Sequence, residues 1–106
     1  MKKYYFNCEV SMGNMSVMET DMQKKAMIAF LKSFYVKPSI SKVRCGDSKY
    51  DYYYEADISY ENSEYLRVLR FSESLRAFCL FWHMSYMENC LREIEYPDPE
   101  PPKGIV

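Results

Sequence analysis

The chain has 106 residues, 48% of them hydrophobic and 17% aromatic, and carries a formal net charge of −1. Such a length and balance describe one folded domain that buries roughly 65% of its unfolded-state surface, and they exclude a disordered or fibrous chain. A charge near zero also weighs against recognition of nucleic acid through its phosphates, which draws on a basic excess.

The first ten residues, MKKYYFNCEV, lack the apolar core of a secretory signal. Residues 3–12, KYYFNCEVSM, alternate: Tyr4, Phe6, Cys8, Val10 and Met12 fall on one side, and Tyr5, Asn7, Glu9 and Ser11 on the other. That period of two predicts a half-buried strand, ended by Gly13-Asn14.

Residues 19–35, ETDMQKKAMIAFLKSFY, predict a helix, with Thr20 and Gln23 in the spacing of a capping box. At 100° per residue, Met22, Ala26, Met27, Ala29, Phe30, Ser33 and Phe34 form its inner face, against Asp21, Lys24, Lys25 and Lys32 outside. Ile28 and Tyr35 fall among the charges, as exposed or partner-facing groups. Pro38 disfavours helix in the residue before it and marks the end.

Residues 40–71 predict a three-strand meander. A four-residue loop GDSK pairs Cys45 with Tyr50, Arg44 with Asp51 and Val43 with Tyr52. A turn around ENS pairs Ile58 with Leu66, Asp57 with Arg67 and Ala56 with Val68. Both registers set apolar against apolar on one face and opposite charges on the other, each such pair contributing about 0.2–1 kcal/mol. Ser41, Val43, Cys45, Tyr50, Tyr52, Tyr54, Ala56, Ile58, Leu66 and Val68 then face the core. Lys42, Arg44, Asp51, Tyr53, Glu55, Asp57, Arg67 and Leu69 face out.

Residues 71–96 predict a second helix, with Ser72 or Ser74 as N-cap. Its segment 75–84, LRAFCLFWHM, is apolar in nearly every direction, whereas a surface helix of a small domain usually carries one apolar stripe. The expected architecture is a single α+β domain over residues 1–96, in the order β-α-β-β-β-α. It has a four-stranded, mainly antiparallel sheet with two helices packed on one face, followed by a proline-rich extended tail over 97–106.

Few residues read as chemistry. Cys79 and His83 are four apart on the expected helix and share a face, but two ligands do not make a zinc site, and amides inside a helix cannot form an oxyanion hole. Asp51, Glu55 and Asp57 line the outer face of a strand beside Tyr53, where Arg44 and Arg67 make them a solvated charge ladder. No phosphate-cradling glycine loop occurs, so no catalytic residue, metal or cofactor is expected. The α-β-β-β-α stretch shares its element order with the double-stranded-RNA-binding domain. That family places a basic cluster at the start of its last helix, where this chain reads SESLRA. PEPP in the tail satisfies P-x-x-P.

The surface is more informative. Tyr53 flanked by Asp57 and Arg67, with Leu69, Ile28, Tyr35 and Phe81, gives the expected partner-binding residues. The function expected is a small non-catalytic protein-binding module, an inhibitor or adaptor of a larger complex. Bacterial viruses and mobile elements encode many such proteins against host defence systems. The partner is another protein or a second copy through helix 72–95; nucleic acid is disfavoured, and no apolar run is long enough to cross a membrane. Four cysteines without a C-x-x-C pair suit a reducing cytoplasm. The alternatives are a nucleic-acid-binding regulator using Lys2, Lys3, Lys24, Lys25 and Lys32, and a thiol- or metal-dependent enzyme at Cys79 and His83.

Overall fold

The computed structural model describes residues 1–13, 16–36, 39–44 and 52–97. The loop GDSK, the residues Cys45, Tyr50 and Asp51, and the tail from 98 onward lie outside them.

The chain is an α+β domain with two helices and an open antiparallel sheet. Its elements are β1 (Lys2–Gly13), α1 (Val17–Ser33), β2 (Ser39–Arg44), β3 (Tyr52–Asn62), α2 (Tyr65–Phe81) and β4 (Ser85–Glu95), in the sheet order β2-β3-β1-β4. The strands joined by each helix are separated by one other strand, a split β-α-β arrangement repeated twice.

β1 is a central strand, and its alternation does what the sequence requires. Phe6, Cys8, Val10 and Met12 are fully buried beneath the helices. They stand opposite Tyr60, Ile58, Ala56 and Tyr54 of β3. Met27 and Leu31 of α1 close this layer together with Val68, Phe71, Leu75 and Cys79 of α2, so both helices cover the same face. Among the described residues, no helix covers the other face of the sheet.

Three expectations are corrected. The order is β-α-β-β-α-β, because residues 65–81 are helical and 85–95 are a strand. Val68, Phe71, Leu75 and Cys79 recur at helical spacing and are the buried stripe of α2. Leu66 consequently lies outside the core, and Ile58, Asp57 and Ala56 pair with Cys8, Glu9 and Val10 of β1 instead of with residues 66–68. Residues 72–95 are not one helix but the end of α2, a turn and β4, and the comparison of element order with the RNA-binding domain falls away.

The β2–β3 register is the second correction: Val43 stands opposite Tyr53 and Arg44 opposite Tyr52, one residue from the expected pairing. This places Ile40 opposite Ala56, where it packs on the core.

The third concerns α1. Its N-cap is Ser16, whose Oγ accepts from the Glu19 N–H at 3.2 Å while Glu19 Oε2 accepts from the Ser16 N–H at 3.3 Å. Thr20 and Gln23 are buried in the stripe Thr20-Gln23-Met27-Leu31. The helix is thereby rotated from the expected face, leaving Met22, Ala29 and Ser33 exposed and Ile28 half-buried. Thr20 Oγ1 donates to Ser16 O and Gln23 Nε2 to Trp82 O, which offsets much of the cost of burying these two side chains.

Both helices stop alike. After α1, the Val36 N–H reaches Leu31 O at 3.1 Å, and after α2 the Met84 N–H reaches Cys79 O at 2.8 Å. Each is a Schellman closure, with Tyr35 (φ 60°) and His83 (φ 56°) in the left-handed position that glycine usually fills.

Candidate interaction site

Aromatic rings run in a continuous ladder along the seam between α1 and α2. Tyr60 stacks on Phe71 at 4.6 Å, Phe71 meets Phe34 edge-on at 5.2 Å, and Phe34 meets Phe30 at 5.2 Å. Phe30 stacks on Phe78 at 4.4 Å, Phe78 lies 6.2 Å from Trp82, and Trp82 meets Phe81 edge-on at 5.9 Å. Each such pair contributes about 0.5–1.5 kcal/mol beyond the area it buries. The ladder runs through the core at Phe71 and ends in solvent: Phe81 is 77% exposed and the adjacent residue along the helix, Leu80, is 78% exposed. Met18 and Met22 are also exposed, on the first turns of α1.

At that open end lies a recess of about 290 Å³ with mostly apolar walls, lined by Glu19, Met22, Gln23, Phe81, Trp82 and His83. Gln23 is 2% exposed, and its Nε2 donates to Trp82 O at 2.7 Å, tying the start of α1 to the end of α2. Its Oε1 is buried and has no hydrogen-bond partner among the described residues.

The open sheet face is different in kind. Asn7 donates to Asp57 Oδ1 at 2.7 Å and to Ser59 Oγ at 2.9 Å, and accepts from Asn89 at 2.8 Å. Tyr5 and Ser59 share a hydrogen bond at 3.1 Å, and Arg92 lies 5.6 Å over the Tyr5 ring. Lys3 pairs with Glu61 at 3.6 Å. With Glu9, Glu55, Asp57 and Glu61 exposed, this face is acidic and largely satisfied within itself.

The expected binding residues therefore do not form one patch. Tyr53 and Asp57 sit on the open face of β3; Arg67, Leu69 and Phe81 are on α2; Ile28 is on α1 and Tyr35 just beyond it. Arg67 pairs with Glu64 within its own first turn at 2.6 Å, not with Asp57. Leu69 is half-buried beside Tyr86 and Glu88 in a second recess between α2 and β4. Tyr35 is 98% exposed. Of the set, Phe81 alone reaches the recess at the end of the ladder; Met22, Gln23 and Trp82 went unrecognised there, as did the exposure of Met18 and Leu80. One signal for them was in the sequence: once Leu75 and Cys79 fill the inner stripe, Leu80-Phe81 is left over.

The other candidates come apart. Cys79 is buried in the core, where burial pushes its thiol up to about 12, while His83 is exposed beyond the helix end. The thiolate needed for nucleophilic attack is thus suppressed. No group of three or more metal-ligating side chains occurs among the described residues. The lysines do not converge either: Lys2 and Lys3 pair with Glu93 and Glu61, and Lys24 covers the Tyr54 ring at 4.4 Å. No described helix is long and apolar enough to cross a membrane. No protein-family profile matches the chain, and no curated protein or solved structure is significantly similar to it.

Proposed function

We propose that the chain is a non-catalytic protein-binding module, an inhibitor or adaptor acting on a larger complex, that docks through the open end of its helical layer. One observation carries the reading: the aromatic ladder ends in solvent, with Leu80 and Phe81 side by side and more than three-quarters exposed. Large apolar side chains left in solvent next to an apolar recess on a small domain suit a surface that a partner covers. Met22, which lines the recess with Phe81 and is itself exposed, adds an adaptable apolar group. The proposal sets the module in the cytoplasm, where the thiols of Cys8 and Cys79 stay reduced.

The test is affinity capture paired with light scattering. Wild-type protein is expected to be a monomer that retains one defined partner, and Phe81→Lys is expected to lose it while folding normally. Lysine suits a helix C-terminus, so the variant removes the ring without a dipole penalty. Loss on Tyr53→Ala but not on Phe81→Lys would move the site to the open sheet face and overturn the proposal. A dimer dissolved by Phe81→Lys would replace the second protein with a second copy.

A further inference from the structure

We infer that α2 pairs antiparallel with α2 of a second copy, Phe81 of each copy entering the recess beside Leu66 of the other, so that the chain reversibly covers its own docking face. This goes beyond the docking reading, in which the same end of α2 meets another protein. At 100° per residue, Leu66, Arg70, Glu73, Ala77, Leu80 and Phe81 fall within about 100° of one another, opposite the buried stripe. All of them are exposed. From Leu66 to Leu80 their spacing alternates between four and three residues over about 21 Å of helix, a seam that another helix fits. Leu66 stands at one end and Leu80 with Phe81 at the other, with opposite charges and one small residue between. Among the described residues neither Arg70 nor Glu73 has an ion-pair partner, although they lie three apart on one helix.

Such a stripe complements itself in one direction only. Laid parallel, Arg70 meets Arg70 and Glu73 meets Glu73, like charge against like. Turned end for end about a two-fold axis between Glu73 and Ser74, Leu66 comes level with Phe81 of the copy. Each Arg70 then lies within about one turn, roughly 6 Å along the axis, of the copy's Glu73, and Ala77 leaves room for the arginine stem. The two-fold also sets each flank of α2 against the same flank of the copy. Phe81 stands on the flank toward α1, where it lines a recess with Met22 and Gln23. On that flank, at the start of α2, lies a second recess of about 410 Å³, lined by Phe34, Tyr60, Leu66 and Arg70 among others. Phe81 of the copy is thereby brought over it. Its ring walls, Tyr60 and Phe34, belong to the far end of the ladder that Phe81 closes, so the two ladders meet. A contact confined to one helix face and one recess falls short of the roughly 1,200 Å² that a stable interface buries. The pairing is therefore weak: the chain is a monomer at the dilution of partner capture and pairs when concentrated.

Sedimentation equilibrium of the full chain from about 10 μM to about 1 mM spans the range of a weak dimer, and wild type is expected to pass from monomer to dimer across it. Arg70→Glu and Glu73→Arg are each expected to weaken pairing about tenfold, because each replaces two attractions by two repulsions. Both positions are exposed, so neither substitution disturbs the core. Mixed together, or combined in one chain, the two substitutions restore opposite charges and are expected to pair as wild type does. Isotope-filtered NOEs between copies are expected from the Phe81 ring to Phe34 and Tyr60. Single variants that pair like wild type, a mixture that pairs no better than either alone, or contacts between copies that leave out Phe81 overturn the inference. So does a wild type that stays a monomer at the highest concentration. A partner captured through Phe81 by a chain that never pairs refutes the self-cover and leaves the docking reading intact. Pairing in this register by a chain whose partner is indifferent to Phe81 refutes the docking reading and leaves the pairing.

Discussion

The two sides of α2 are built from the same kinds of residue and meet opposite fates. Its inner stripe, Val68, Phe71, Leu75 and Cys79, is sealed against β1 and β3. Its outer side, Leu66, Ala77, Leu80 and Phe81, is exposed. Phe71 and Phe81 stand ten residues apart on one helix; the first touches Phe6, Tyr60 and Phe34, the second touches Trp82. Hydrophobicity of the residue therefore does not tell which side a helix buries. The position of the stripe relative to the sheet decides, and what is left over is available for another molecule.

The sharpest way to break this contrast is to truncate each ring. Phe71→Ala empties the junction of three aromatic contacts in a fully buried site and is expected to cost about 3–5 kcal/mol. Chemical denaturation with an unchanged m-value would measure it; a loss below about 1 kcal/mol would mean the ladder is not anchored in the core.

Thiol chemistry gives the next largest effect. Burial first, and then the neighbouring Cys79, push the Cys8 thiol up to about 12; burial alone does so for Cys79. Both folded values lie above the ordinary thiol value, so the native state holds its protons where the unfolded chain has begun to lose them. The stability this provides is complete below about pH 8.5 and drains away as pH rises toward 12. At mildly alkaline pH, alkylation of Cys8 and Cys79 is expected to be about a thousandfold slower than in the denatured chain. Half-buried Cys90 on β4 should be modified first of the three. Peptide mapping that found Cys79 modified as fast as Cys90 would break the sealed inner stripe.

How much of this was legible depends on whether a local period survives its surroundings. β1 was readable because a central strand buried on one side must alternate, and it does. β4 was not, and its bulge explains the misreading. The register jumps so that Asn7 faces Cys90 and Cys8 faces Glu88, leaving Asn89 over. Tyr86 and Leu91 then share the covered side, and Met87, Cys90 and Ile94 the open one. An inserted residue turns a period of two into apolar positions 86, 87, 90, 91 and 94, which imitate a helix. Gln23 was hidden for another reason: its role comes from Trp82 O, fifty-nine residues away, which no local pattern encodes. Phe81 was legible as surplus apolar surface, whereas the recess beside it required the crossing of α1.

On the outer side, Phe81→Ala is expected to leave stability within about 0.5 kcal/mol of wild type, since a surface truncation opens no cavity. Binding of the captured partner should weaken by about 2 kcal/mol or more, roughly thirtyfold, as for an anchor at the centre of an interface. Titration calorimetry together with a melting curve separates the two. A variant that melts much earlier while binding normally would reverse the assignment of the two stripes.

The smallest effect concerns the two helix stops, which differ in what surrounds them. Tyr35 and His83 both hold the left-handed position, at a cost that glycine avoids. Tyr35→Gly is expected to stabilise the fold by about 0.5–1 kcal/mol, the avoided strain being partly offset by the greater freedom of the unfolded chain. His83→Gly gains from the same release, but His83 lines the recess and Tyr35 does not. The pair thus separates strain that serves binding from strain that merely closes a helix: His83→Gly should raise the melting temperature and weaken the partner, and Tyr35→Gly should raise the melting temperature alone. If both substitutions left binding untouched, His83 would be a helix stop and nothing more, and the rim of the site would end at Trp82.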